Sequence, residues 1–152
     1  MIAIIDYGAG NIFSVKNALD YLGVENKLTA DKNEICAADE IILPGVGAFP
    51  WAMKMLRDSG LVDTIREEAR KKPFLGICLG MQLIFDKGYE FEETDGLRLI
   101  GGKVEKIDRK DMIIPHMGWN ELEINRDCPI LKSLPEHPYV YFVHSYAAVC
   151  DL

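Results

Sequence analysis

Phe74-Leu75-Gly76-Ile77-Cys78-Leu79-Gly80-Met81-Gln82 joins a short apolar run to the beginning of a helical pattern, with a cysteine set between two glycines. Pro73 marks the entry to the run, which reads as a strand. The spacing G-x-C-x-G has the form of a nucleophile elbow, in which small flanking residues let the chain turn sharply from strand to helix and expose the central side chain. Such a turn sets Cys78 where unpaired backbone N–H groups favour negative charge. Packing explains the same pentapeptide equally well, because free cysteine is among the most buried residue types. The pentapeptide alone leaves both readings open.

Outward from this stretch, the first half of the chain alternates short apolar runs with amphipathic segments. IAIID at 2–6 suits a strand buried on both faces, and Asn11 caps a helix over 12–22 in which Ile12, Val15, Leu19 and Leu22 share a stripe and Gly23 gives the stop. NKLTA at 26–30 and EIILPG at 40–45 read as the next strands, and a helical region runs from about Trp51 to Arg70 with a break near Ser59-Gly60. These are repeated β-α-β units, so the expected fold class is α/β with a mostly parallel central sheet and helices on both faces. Beyond Gly88 the pattern becomes extended around 97–107, 119–124 and 139–149.

The 152 residues are enough for one domain with one continuous core. With 24 acidic against 17 basic residues and a formal charge of -7, the chain has no basic cluster beyond Arg70-Lys71-Lys72, which argues against nucleic acid or an anionic membrane as partner. No apolar run approaches the roughly 18 residues of a membrane span, and MIAIIDYG opens the chain without a basic lead, so a cytoplasmic protein is expected. Cys36, Cys78, Cys128 and Cys150 are widely spaced and read as reduced thiols. The three dispersed histidines offer no zinc spacing, so neither a metal nor a cofactor is expected.

Ligands of open α/β sheets bind at the carboxyl ends of the strands, where this chain places YGAGN (7–11), PGVG (44–47) and GICLG (76–80). Phe13 stands where a G-x-G-x-x-G loop needs its third glycine, which weakens a nucleotide reading of the first. PGVG reads either as a plain turn or as a loop whose N–H groups complete an oxyanion hole with the N–H of Leu79.

In this order and at these separations, PGVG, GICLGMQ, PHMGWN (115–120) and YFVHSY (141–146) resemble the class I (triad) glutamine amidotransferases. With DYGAGN, they are similar above all to the glutaminase subunits of imidazole glycerol phosphate synthases. The resemblance covers the whole chain and implies a flavodoxin-like three-layer αβα fold. It implies Cys78 as nucleophile toward the side-chain amide of glutamine, with oxyanion donors at Leu79 and Gly47 on a turn that in many such enzymes must flip to become active. It also implies glutamine binding through Gln82, Ser145 and Tyr146. Asn11, Trp119 and Tyr141 fall in segments that face a (β/α)8 cyclase subunit, the heterodimeric partner that receives the ammonia. A related amidotransferase for amidino-sugar synthesis and a silent partner-binding module are the alternatives.

The family's triad completes its base in a later HPE motif, which does not occur in these residues. The expectation is therefore a C-terminally incomplete domain over 1–152, lacking strands and a helix and weak in turnover by itself. Among the histidines present, His144 and His116 are weak substitutes for a base, and His137 reads as a surface turn residue.

Overall fold

The chain is described by a computed structural model over residues 1–109 and 113–150. Its described residues form two compact units. One comprises Met1–Glu105 with the chain from Ala148 onward, and the other Lys106–Ala147.

The first unit is built on β1 (Ile2–Ile5), β2 (Asn26–Thr29), β3 (Glu40–Gly45) and β4 (Phe74–Cys78), which pair in parallel in the order β2-β1-β3-β4. Ala3, Ile4 and Ile5 are fully buried, as a strand covered on both faces requires. Helix α1 (Ile12–Tyr21) begins at Asn11, whose side chain accepts the Ser14 N–H at 3.4 Å. It ends in a Schellman turn, with Val24 N–H donating to Leu19 O and Gly23 N–H to Asp20 O.

The expected helical region divides into α3 (Phe49–Asp58) and α4 (Val62–Glu68), separated at Ser59-Gly60. Phe49, Ala52, Met53 and Leu56 are the buried stripe of α3. A short helix absent from the sequence reading, α2 (Lys32–Ala37), is capped by Asp31, which accepts the N–H groups of Asn33 at 2.7 Å and Glu34 at 3.3 Å.

The chain leaves β1 toward β2 and returns across it to β3, so the strand order reverses between β1 and β3. Right-handed crossovers place α1 on one face and α2, packed on α4, on the other. The chain consequently leaves β1 and β3 toward opposite faces, and such a switch point is where open α/β sheets bind their ligands, at the carboxyl ends of the strands.

After β4 and the five-residue α5 (Leu79–Leu83), the chain forms β5 (Phe85–Gly88), β6 (Thr94–Asp95) and β7 (Ile100–Lys106). β5 pairs antiparallel with β6 and parallel with β7, and β10 (Tyr146–Cys150) lies beside β7. No helix among the described residues is long and apolar enough to cross a membrane.

In the second unit β8 (His116–Glu121) and β9 (Tyr139–His144) form an antiparallel pair in register from His116↔His144 to Glu121↔Tyr139. The expected strand at 119–124 is thus displaced toward the N-terminus. Pairing with β9 decides its limits, and the Leu122 N–H to Pro138 O bond closes the ladder before Ile124.

Candidate active site

The parallel register of β3 and β4 sets Gly45 opposite Cys78 at the carboxyl ends of both strands. Cys78 is exposed and adopts φ 56° and ψ -117°, a conformation that L residues rarely take. The chain passes directly from this residue into α5, so the strained turn expected of an elbow is present. Its flanking glycines are steric necessities. A Cβ on Gly76 would lie 2.5 Å from Met81 Cα, and one on Gly80 would collide with the Leu43 carbonyl oxygen. Only hydrogen at these positions lets α5 lie against β3 and β4 while Leu79 is buried behind the thiol. This favours the elbow over simple cysteine packing, because the side chain that packing would bury is the exposed one.

The PGVG segment is fixed at its stem and open at its tip. Tyr7, 5% exposed, donates its phenolic O–H to Pro44 O at 3.0 Å. Burial pushes that phenol up to about 12. A Cβ on Gly45 would meet Gly80 N at 2.7 Å, so the stem also rests on the start of α5. Gly47, by contrast, has φ +101° and nothing within 4 Å of a Cβ built on it. The exit of the turn is held by Glu90, whose carboxylate accepts the Phe49 N–H at 2.8 Å where Ala48 supplies no side-chain cap.

The first unit therefore holds Cys78, Leu79, Gly47 and Gln82, the last a half-buried residue of α5, together with Asn11 at the cap of α1. The second unit holds Trp119, Tyr141 and Ser145 and the beginning of the strand carrying Tyr146. Within it, Trp119 and Tyr141 are cross-strand partners in an edge-to-face pair with ring centroids 5.7 Å apart, and both are exposed. Met117, Tyr139 and Val143 continue the same apolar face. Ser145 O accepts the Ile107 N–H at 2.9 Å.

Every histidine lies in the second unit. His144 has both ring nitrogens engaged, Nε2 with His116 Nδ1 at 2.9 Å and Nδ1 with Tyr146 O at 3.0 Å. His116 also meets Asn120 Oδ1 at 2.9 Å, and exposed His137 pairs with Glu121. Among the described residues no group of three or more His, Cys, Asp or Glu side chains converges as a metal site.

Tyr7 and Glu90 escaped the sequence reading. The only local signal was negative for Glu90, since Ala48 cannot cap the helix that follows it. Tyr7 gave none, because its partner is 37 residues away.

The family model of class-I glutamine amidotransferases matches residues 3–151. The imidazole glycerol phosphate synthase subunit HisH of Listeria monocytogenes serotype 4a (strain HCC23) is 51% identical over 152 residues, covering 99% of this chain and 73% of that protein. The protein of the same name from Bacillus cereus (strain G9842) is 51% identical over 151 residues, covering 99% and 72%. A solved glutamine amidotransferase structure superposes with a TM-score of 0.72 at 21% identity, covering 100% of this chain and 75% of that one, a likeness of fold.

Proposed function

The chain belongs to the class-I glutamine amidotransferase family, and on that footing we propose that it is the glutaminase subunit of an imidazole glycerol phosphate synthase, working in the cytoplasm in histidine biosynthesis. The observation that carries the reading is Cys78, exposed at positive φ in register with Gly45 and flanked by glycines that no side chain can replace.

The Cys78 thiolate adds to the side-chain amide carbon of glutamine, the proton given up by the thiol passes to the amide nitrogen, and the C–N bond breaks to release ammonia. Water then attacks the thioester, giving glutamate and restoring the thiol. The N–H groups of Leu79 and Gly47 receive the oxyanion formed in each step, an arrangement whose loss costs about 10²–10³ in rate. Gln82, Ser145 and Tyr146 hold the amino-acid end of the substrate. The apolar face around Trp119 and Tyr141, with Asn11, docks the cyclase subunit that consumes the ammonia. Exposed aromatic residues on a paired strand face support this assignment.

The chloroketone analogue of glutamine tests the reading. Cys78 should be labelled faster than Cys36, Cys128 and Cys150, glutamine should protect it, and Cys78→Ser should abolish the adduct, all measured by mass spectrometry of peptides. Labelling no faster than at the other thiols, even with the cyclase subunit present, would leave only a silent partner-binding module.

A further inference from the structure

Taking Cys78 and PGVG as the acyl-transfer site proposed above, we propose that Tyr7 is a positioning residue for the oxyanion-binding turn, its O–H fixing the Pro44 carbonyl from which Gly45-Val46-Gly47 departs.

Proline contributes no N–H, so its carbonyl is the only backbone hydrogen-bonding group by which this residue can be oriented. Tyr7 reaches it from the loop after β1, across the switch point between β1 and β3. The same hydroxyl bounds Gly45, where a Cβ would lie 3.0 Å from it and 2.7 Å from Gly80 N. The 44–45 peptide is thus clamped between a phenol on one side and the elbow helix on the other. Gly10 adds a third contact, since a Cβ there would meet Gly45 N, the Pro44 carbonyl carbon and Pro44 Cβ at 3.4 Å each. Two residues further on, a Cβ on Gly47 would meet nothing within 4 Å. A stem held this firmly sets the direction in which the turn departs from β3, and the phenol, protonated at neutral pH even at its ordinary value, is pushed further up to about 12 by burial.

Replacing the hydroxyl leaves the Pro44 oxygen in search of a partner, and rotation of the 44–45 peptide relieves this while turning the following N–H groups away from Cys78. Losing one net hydrogen bond of ordinary strength corresponds to about 10-fold. Tyr7→Phe keeps the buried ring and removes only the donor.

The experiment compares two reagents on the full chain with its cyclase subunit. In the chloroketone analogue of glutamine, the thiolate adds to the ketone carbon to give a tetrahedral oxyanion. Sulfur then passes to the neighbouring CH2 as the C–Cl bond breaks and chloride leaves, and the bond between sulfur and the carbonyl carbon breaks as the oxyanion re-forms the ketone. Iodoacetamide alkylates by direct displacement of iodide and needs no oxyanion hole. For Tyr7→Phe the saturating rate with chloroketone should fall about 10-fold, with its half-saturation concentration and the iodoacetamide rate unchanged and Tm lowered by no more than a few degrees. An unchanged chloroketone rate overturns the inference. A parallel loss with both reagents and a larger fall in Tm also overturns it, by assigning Tyr7 a merely structural role. Wild-type protein that fails to react preferentially at Cys78 would instead bring down the glutaminase reading, and this inference with it.

Discussion

Gly80 lies so close to the carbonyl of Leu43 that the first helical turn after Cys78 has no room for a methyl group. The contact is with backbone on β3, which belongs to the buried sheet and cannot move aside as a flexible side chain would. Gly80→Ala must therefore push α5 off the sheet. Overpacking of this sort costs about 1–3 kcal/mol, and the expected result is a lower Tm by several degrees together with loss of preferential Cys78 labelling. Unchanged thermal unfolding would show that the helix start can shift freely.

Glu68 and Lys72 give the first unit an acid-sensitive tie. Glu68 is 6% exposed, with its carboxylate 2.7 Å from Lys72 and 3.0 Å from Lys71. The hydrogen bond from Lys72, then that from Lys71, holds this carboxyl below the usual glutamate range. Lys72 also donates to the carbonyls of Ile35, Cys36 and Ala38, so the pair fastens the end of α2 to α4. Because the folded value is the lower one, the stabilisation is fully present above the ordinary glutamate pKa of about 4.3 and is lost as pH falls through the folded value. Denaturant unfolding from pH 7 to pH 3 should show a steeper acid loss in the wild type than in Glu68→Gln, with the wild type the more stable at pH 7. Equal pH slopes would remove Glu68 from the account.

Much of this architecture was legible in the chain itself, for reasons particular residues make plain. β1 and β3 announced themselves because strands buried on both faces must be continuously apolar, β4, which is only partly buried, because Pro73 marks its entry and the elbow its end, and Gly76 and Gly80 because a sharp turn admits little else. α2 did not, since six residues bury only Ile35 and present no stripe. β5 was hidden because α5 stops at Leu83 after a single turn and a half, where helical periodicity cannot be told from a strand. Tyr7 and Glu90 act on groups 37 and 41 residues away, and such pairings exist only once the strands are in register.

The exposed pair on the second unit makes a separate prediction for partner binding. Trp119 and Tyr141 stand edge to face on adjacent strands, 68% and 53% exposed. Aromatic anchors of this kind carry at least about 2 kcal/mol each when an interface closes over them. Trp119→Ala should weaken association with the cyclase subunit about 30-fold or more by calorimetry. Iodoacetamide reactivity of Cys78 should be unaffected in the isolated chain. Undiminished affinity would move the docking surface elsewhere.

Gly47 supplies the converse of Gly80. Its φ of +101° is unfavourable for any side chain, yet nothing lies within 4 Å of the position a Cβ would take. The penalty in Gly47→Ala is therefore one of backbone conformation alone, at least about 1–2 kcal/mol if the present dihedrals are kept. An open turn need not keep them. It can relax to negative φ with little loss of packing, but doing so redirects the N–H groups that would face the oxyanion. Gly47→Ala should accordingly leave Tm within a degree or two of wild type while slowing chloroketone labelling of Cys78 by about 10²-fold, the cost of one oxyanion donor. Iodoacetamide alkylation should proceed at the wild-type rate. A variant that labels normally with both reagents would exclude Gly47 as an oxyanion donor, whereas one that melts early would place the glycine's role in the fold, as at Gly80.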